Sequence, residues 1–243
     1  MHRLIVDTAE LESDSPALSK EAAKHLKVLR PDEGEEIELF DGKGRWRVFS
    51  HSGGALRPKG PVASAPRPVP LTLFACVTKG SRWDWTIEKA TELGATRIVP
   101  VVSDRTIVRI PKSGRAAKRD RWLRIAADAA RQSDAKWIPD VTEPVDFAES
   151  LPLAAETKCF VGALMPHPPP PLLSAIIANL PNFPNQPNLS LFIGPEGDFT
   201  PEEMAALVEI AMPVSFGTTI LRSETAAIYG LSVLKSFLDV RPR

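Results

Sequence analysis

A regular alternation of short apolar runs and amphipathic segments, which starts at Leu71, constrains the fold of this chain most strongly. Four apolar runs have the length and composition of buried strands: "LTLFACV", "RIVPVV", "CFVGAL" and "LSLFI". Helical patterns lie between them. In "WDWTIEKATELG", for example, the spacing of Trp85, Ile87 and Ala90 predicts an apolar helix face, and Gly94 is the predicted end.

Further helices are predicted from about Lys118 to Ser133, from Leu172 to Leu180, after Thr200 and from Glu224 to Leu238, with a short strand in "PVSF". Strands that alternate with helices form parallel sheets with helices on both faces, because each connection must cross back over the sheet. The predicted fold class of residues 71–243 is therefore α/β with a parallel sheet. The proline-rich segments "PHPPPP" and "PNFPNQPN" are predicted to be surface loops.

The first part of the chain has a different pattern. Short strands are predicted in "RLIVDTA", "EEIELFDG" and "GRWRVFS", and Asp41-Gly42 is a favoured hairpin pair between the last two. One helix is predicted in "LSKEAAKHLKVLR". The proline-rich stretch Arg57–Pro70 cannot form a regular helix and is interpreted as a connector. We therefore predict two domains, 1–70 and 71–243, and the first has the length of a small barrel.

Composition excludes several classes of function. Lys and Arg number 30, as do Asp and Glu, so no net field attracts the whole molecule to nucleic acid or to a membrane. No stretch approaches the ~20 apolar residues of a membrane span, and no secretory segment is present, which predicts a soluble cytoplasmic protein. Cys76 and Cys159 lie in apolar runs and are interpreted as buried thiols in a reducing compartment. Scattered histidines and the lack of a Cys-x-x-Cys motif predict no metal site.

The segment "IGPEGDFTPEE" has the most unusual composition. Thr200, Pro201 and Glu203 predict the start of a helix with a capping box. The Gly194–Gly197 turn before it combines two glycines with a carboxylate. In an open parallel sheet, ligands bind beyond the carboxyl ends of the strands. Two more such ends carry unusual residues, in "VGALMP" and "FGTTILRSETAA", and together the three segments predict a pocket with a polar rim.

Two interpretations of these loops stay open from the residues alone. The glycines allow backbone groups to approach a flat ligand closely, but they also suit an ordinary tight turn, and Glu196 also suits a nearby helix dipole. Walker, Gly-x-Gly-x-x-Gly and Gly-x-Ser-x-Gly motifs are absent from the sequence. Their absence disfavours a phosphate loop, a Rossmann dinucleotide site and a serine hydrolase.

Positive charge concentrates between Asp104 and Lys136, where ten Lys and Arg residues stand against four Asp. One interpretation is an ordinary solvated helix flank. The flexible spacing around a loop with Gly and Ser favours sequence-independent contact with phosphates. The candidate phosphate-binding residues in this stretch are Arg105, Arg109, Lys112, Arg115 and Lys118.

Taken together, these motifs resemble a known family. The pair "LFIGPEGDFTPEE" and "FGTTILRSETAA" resembles the signature of bacterial small-subunit (16S) ribosomal RNA uridine N3-methyltransferases, which are S-adenosylmethionine enzymes of the SPOUT superfamily. Two more segments, "KGSRWDWTIEKATELGATRIVPVVSDRT" and "RWLRIAADAARQS", are also similar to that family. The N-terminal "HLKVLRPDEGEEIELFDGKG" is similar to the family's PUA-like RNA-binding domain. The resemblance therefore spans nearly the whole chain.

The resemblance implies a fold, partners and functional residues. It implies a SPOUT methyltransferase domain with a trefoil knot at 71–243, a PUA-like β-barrel at 1–70, and a homodimer that acts on ribosomal RNA. Arg222 is assigned to charge stabilisation on the uracil, Glu196 or Glu224 is the candidate proton acceptor, and Arg30 joins the RNA-binding residues. The residues implied to bind S-adenosyl-L-methionine are Leu164, Ile193, Gly194, Pro195, Glu196, Gly197, Ile220, Leu221, Ser223, Glu224, Thr225 and Ala226.

Three positions depart from the family pattern. Asp198 stands in place of a third glycine, Phe216 in place of a common leucine, and Thr219 in place of a frequent arginine. Asp198 and Thr219 support the alternative of a non-catalytic RNA-binding or ribosome-assembly protein on the same fold. Another alternative, an enzyme that binds a different nucleotide in the same pocket, lacks a visible phosphate loop. The match at Arg222 and Glu224 favours activity.

Overall fold

The structure of the protein, a computed structural model, describes residues 1–179 and 187–240. The chain forms two compact units. The first comprises Met1–Pro68 and Ala127–Ile138, and the second comprises Val69–Ala126 and Pro139–Arg243. The sequence analysis assigned residues 127–138 to the second domain, whereas the structure adds them to the N-terminal unit.

A five-stranded sheet builds the first unit. Its strands are β1 (His2–Ile5), β2 (Glu36–Phe40), β3 (Arg45–Ser52), β4 (Ala55–Pro58) and β5 (Ala63–Ser64). β1 and β2 pair in parallel, whereas β3 pairs antiparallel with β2, β4 and β5. Two helices accompany the sheet, α1 (Thr8–Glu12) and α2 (Lys20–Leu29). Leu4, Ile37 and Phe49 lie in the buried core of this unit.

The hairpin predicted at Asp41-Gly42 is confirmed. Asp41 Oδ1 accepts hydrogen bonds from the backbone N–H groups of Lys43 and Arg45, at 2.7 and 3.0 Å. The connector prediction for Arg57–Pro70 is only partly right, because β4 ends inside this stretch and β5 lies within it. β4 is an edge strand of the sheet, which is the position at which a strand tolerates proline.

A buried ion network explains why residues 127–138 belong to the first unit. Arg3 is 7% exposed and donates to Glu38 Oε1 at 2.8 Å and to the carbonyl of Ala130 at 2.7 Å. Lys136 Nζ lies 2.7 Å from both oxygens of the Glu38 carboxylate. Loss of one partner would leave an uncompensated buried charge, so these contacts hold the segment to β1 and β2.

The predicted parallel sheet is confirmed in the second unit. Its strands are β6 (Leu71–Cys76), β7 (Arg97–Val102), β8 (Asp140–Val141), β9 (Val145–Asp146), β10 (Lys158–Gly162), β11 (Leu189–Ile193) and β12 (Ala211–Val214). All pairs are parallel, in the order β12-β10-β11-β6-β7-β8, and β9 also pairs with β7. The central strands β6 and β11 are buried along their whole length, as expected for strands covered on both faces.

The helices described for this unit are α3 (Ser81–Glu92), α4 (Arg115–Gln132), α5 (Phe147–Ala155), α6 (Leu172–Asn179), α7 (Pro201–Val208) and α8 (Ser223–Asp239). The predicted helices are confirmed within a few residues at their ends. Leu180, the predicted end of α6, and residues 181–186 of the predicted loop lie outside the described residues. The sequence pattern does not predict α5, because this helix contains Pro152 and an internal proline argues against a helix.

The buried face of α3 differs from the predicted one. Ile87 and Ala90 are buried as expected, but Trp85 is 40% exposed and Trp83 is buried instead, at 2%. Trp83 packs edge-on against Trp122, with ring centroids 5.6 Å apart. The prediction for Trp85 is wrong because two tryptophans compete for one face, and Trp83 has the helical spacing to Ile87 and Ala90.

Cys76 and Cys159 are free and buried, as predicted. Burial raises the pKa of each thiol to about 12, because the desolvated thiolate is disfavoured. Among residues 1–179 and 187–240, no group of three or more His, Cys, Asp and Glu side chains is arranged to hold a metal ion. In the same residues, every helix is too short or too polar to cross a membrane.

Candidate functional site

Three loops meet at the carboxyl edge of the sheet in the second unit. They follow β10, β11 and β12, which are neighbours in the sheet order, so the ends of these parallel strands lie side by side. The loops enclose a cavity of about 280 Å³, close to the lower end of the range for small-molecule sites. We call it the first cavity. It lies at the edge where the sequence predicted a pocket.

The wall that follows β11 is a tight turn. The N–H of Asp198 donates to the carbonyl of Pro195 at 2.9 Å, and Asp198 Oδ1 accepts a hydrogen bond from the N–H of Phe199 at 2.8 Å. Asp198 has a φ of +58°, in the left-handed region that glycine, asparagine and aspartate tolerate best. Aspartate at this position therefore keeps the turn that a glycine also allows.

Two further contacts hold this turn in place. Arg105 Nη1 donates to the carbonyls of Gly197 and Phe199, at 2.8 and 3.3 Å. The predicted capping box is confirmed, since Glu203 N–H donates to Thr200 Oγ1 at 3.2 Å and Thr200 N–H donates to Glu203 Oε2 at 3.0 Å. The phosphate contact predicted for Arg105 is therefore replaced in the structure by hydrogen bonds from its guanidinium to the turn.

Gly162, at the end of β10, permits a close approach. A Cβ at this position would lie 2.5 Å from Cε2 of Phe216, closer than real Cβ contacts, so only glycine lets this ring pack against the strand. Gly230 on α8 has a similar role, because a Cβ there would lie 2.4 Å from Cδ2 of Leu191. Phe216 lines the first cavity, so these two glycines shape its wall.

The loop between β12 and α8 presents free backbone polar groups. Thr219, Ile220 and Leu221 all line the first cavity. Their backbone N–H groups make no hydrogen bond with the part of the chain that the structure describes. Ile220 is also 80% exposed. Free amides beside apolar side chains suit a flat aromatic ligand with polar edges.

The three predicted catalytic residues differ in their surroundings. Arg222 is the exposed N-cap residue of α8, and its guanidinium has no partner in residues 1–179 and 187–240. Glu196 forms an ion pair with Arg82, with 3.0 Å between Oε1 and Nη1. Glu224 is 9% exposed, and its Oε2 atom has no hydrogen-bond partner among the described residues. Buried carboxylate oxygens normally have a partner, so the unpartnered oxygen marks Glu224, which lines a cavity described below, as a candidate functional residue.

A second cavity, of about 630 Å³, adjoins the first. Arg222 lines both cavities. The Arg82–Glu196 ion pair also connects them, because Glu196 lines the first and Arg82 the second. The remaining residues that line the second cavity are Ser81, Asp84, Trp85, Glu88, Glu224 and Thr225.

Most of the residues predicted to bind a ligand line the first cavity, namely Leu164, Ile193, Gly194, Pro195, Glu196, Ile220, Leu221, Ser223 and Ala226. Glu224 and Thr225 line the second cavity instead, and Gly197 lies in the turn held by Arg105. The sequence analysis did not assign Gly162, Ala163 and Ser215, which also line the first cavity. Their position in the sequence could have identified them, because all three lie in or directly beside the segments predicted to form the pocket.

The other predicted phosphate-binding residues fall into two groups. Arg30, Arg109, Lys112 and Lys118 are exposed. Arg115 is only 9% exposed and forms ion pairs with Asp146 and Glu149. The interpretation of Arg115 as a phosphate contact is therefore corrected, because its charge is buried and compensated within the second unit.

Two family models match the chain. An RNA methyltransferase domain matches residues 65–235, and an RNA methyltransferase PUA domain matches residues 18–52. The first match covers more than two thirds of the chain and includes all three loops around the first cavity.

Individual proteins are similar over nearly the whole chain. Ribosomal RNA small subunit methyltransferase E of Bacillus subtilis is 32% identical over 231 residues, which cover 92% of this chain and 90% of the relative. The protein of the same name from Synechocystis sp. is 30% identical and covers 98% and 78% of the two chains. The crystal structure of a ribosomal RNA small subunit methyltransferase E from Neisseria gonorrhoeae, bound to S-adenosyl methionine, is 27% identical. It has a TM-score of 0.80 and covers 98% of both chains.

Proposed function

The chain belongs to the RNA methyltransferase family, and from that premise we propose that it methylates N3 of a uridine in small-subunit (16S) ribosomal RNA. The methyl donor is S-adenosyl-L-methionine. The observation that carries the proposal is the first cavity, because two of the three loops that enclose it are the segments that resemble the uridine N3-methyltransferase signature.

The first cavity is the proposed donor site. The free amides of Thr219–Leu221 can donate hydrogen bonds to the polar edges of an adenine. Ile193 and Ile220 can pack against its faces. On the opposite wall, the turn held by Arg105 brings Gly194 and Pro195 to the cavity. When bound, the donor supplies an electrophilic methyl group on a sulfonium sulfur, whose transfer to N3 leaves a neutral thioether and requires loss of the N3 proton.

Arg222 and Glu224 are the proposed catalytic residues. The unpaired guanidinium of Arg222 stabilises the negative charge that develops on the two uracil carbonyl oxygens. Glu224 has a buried carboxylate oxygen without a partner and is the proposed proton acceptor, whereas the carboxylate of Glu196 is already engaged by Arg82. Because N3 lies on the Watson–Crick edge, the target uridine must be unpaired or flipped out.

The RNA surface and the assembly complete the proposal. Arg30, Arg109, Lys112 and Lys118 are exposed cations that can contact phosphates. The family resemblance supports a PUA-like barrel in the first unit, a trefoil knot in the second, and a homodimer as the active species. The strand order places β10 between β11 and β12, which brings the loops after these strands together. The proposed reaction takes place in the cytoplasm, on ribosomal RNA or on the small ribosomal subunit.

Methyl transfer from labelled donor to ribosomal RNA and to assembled small subunits, with identification of the modified nucleoside, tests this proposal. Arg222→Ala is expected to lower the rate by ~10²-fold or more. Lys158→Ala is the control, because Lys158 lies at the opposite end of β10. A product other than N3-methyluridine would refute the proposed position. Absence of donor binding in calorimetry would favour the alternative of a non-catalytic RNA-binding or ribosome-assembly protein.

A further inference from the structure

We propose that the second cavity is the subsite for the acceptor base, with Trp85 as its stacking surface and Glu224 as the group that recognises the imide N–H. The expected ligand is a uracil base extruded from single-stranded or flipped RNA. This inference rests on the proposed function, because it assumes that the second substrate is a uridine.

Trp85 provides an exposed aromatic surface at the second cavity. Its side chain is 40% exposed and lines the second cavity, whereas the neighbouring Trp83 is buried in the core. Its ring makes no aromatic contact with the described residues. Proteins that bind unpaired nucleotides stack the bases on exposed aromatic rings, because every base has an apolar face.

The polar groups of the cavity match one edge of uracil. This edge carries an N3–H donor between two carbonyl acceptors, O2 and O4. Glu224 Oε2 is a buried acceptor without a partner, and the free guanidinium of Arg222 is a donor. Cytosine has an acceptor at N3, which would face the acceptor Glu224. Its neighbouring amino group is a donor, which would face the donor Arg222. The arrangement therefore selects uracil over cytosine.

The remaining charges around the cavity are compensated. The ion pairs are Arg82 with Glu196, Asp84 with Arg121 and Glu88 with Lys89. Among the charged residues that line the second cavity in the described structure, Arg222 and Glu224 are the two without an ionic partner. Because Arg222 also lines the first cavity, a base in the second cavity would lie next to the donor.

Nuclear magnetic resonance of protein labelled with ¹⁵N-tryptophan tests base binding without methyl transfer. Uridine 5′-monophosphate is titrated into the full-length protein saturated with S-adenosyl-L-homocysteine. The indole N–H signal of Trp85, identified by its loss in Trp85→Phe, is expected to shift, while those of Trp83 and Trp122 stay in place. Cytidine 5′-monophosphate is expected to bind about tenfold more weakly or worse. An unchanged Trp85 signal, or equal binding of the two nucleotides, would overturn the proposal.

Kinetics give a second readout. Trp85→Ala is expected to raise the KM for the ribosomal substrate by about tenfold while the donor Kd stays unchanged, and Trp85→Phe should restore most of the loss. Glu224→Gln is expected to lower kcat and to alter its pH profile. The exposed Glu209 gives the control Glu209→Gln, for which no change is expected. If Trp85→Ala is active and its KM is unchanged, the proposed subsite is refuted, but the proposed function is not. If the wild-type protein fails to methylate RNA, the proposed function fails, and the resonance titration still decides the subsite.

Discussion

Replacement of Gly162 by alanine tests the packing that shapes the first cavity. A Cβ at this position would lie 2.5 Å from Cε2 and 2.9 Å from Cζ of Phe216. The same Cβ would lie 3.4 Å from Cδ1 of Ile193. The ring of Phe216 also packs against Tyr229, with centroids 5.6 Å apart, so a shift of the ring changes that contact as well. Alanine must therefore displace the ring, the strand end or both.

The expected magnitude follows from this geometry. An ordinary carbon–carbon contact needs ~3.5 Å, so the ring must move by about 1 Å. Overpacking of this kind costs about 1–3 kcal/mol. Each kcal/mol lowers the melting temperature of a unit of this size by roughly 2–4 °C. Phe216 lines the first cavity, so the same cost can fall on donor binding and not on folding. In that case the donor affinity would be weakened by about 5- to 150-fold.

Thermal melts and calorimetry with S-adenosyl-L-homocysteine measure both effects. Gly114→Ala is a matched control in the same unit, because a Cβ there would lie 3.7 Å from Cγ of Pro111, in ordinary contact. The control is expected to keep or slightly raise the melting temperature. If Gly162→Ala equals Gly114→Ala in both melting temperature and donor affinity, the close packing of Phe216 on β10 is wrong.

Two further predictions concern charge and pH. Arg105→Ala is expected to weaken donor binding about tenfold, because a charged hydrogen bond to the turn contributes ~1.5 kcal/mol. It should leave the salt dependence of RNA binding unchanged, whereas joint neutralisation of Arg109, Lys112 and Lys118 flattens that dependence, as binding isotherms over a salt series would show. The free energy of unfolding is expected to fall above about pH 9, because unfolded thiols ionise near 9.0 while the buried Cys159, with a pKa of about 12, stays protonated. Above that pH the free energy of unfolding should fall by ~1.4 kcal/mol per pH unit for each buried thiol. Urea titrations over a pH series measure this slope, and the same slope in Cys159→Ala as in the wild type would contradict the prediction.

Local patterns in the sequence determined the position and the ends of several elements. The hairpin at Asp41-Gly42, the capping box of Thr200 and Glu203, and the fully buried strand at Leu189–Ile193 all agree with the structure. Each depends on residues within a few positions of one another, where backbone preference and side-chain period act directly. The three strand ends around the first cavity were found in the same way, since parallel strands bring their carboxyl ends to one edge.

Only the tertiary structure decided which of two equivalent side chains takes a given role. The sequence treats Arg105 and Arg115 as members of one basic stretch, yet one holds the turn after β11 and the other is buried beside Asp146. It gives no reason for residues 127–138 to join the N-terminal unit. These outcomes depend on contacts between residues tens of positions apart. Periodicity does not encode such contacts, because they arise when elements compete for the same buried surface and the same counter-charges.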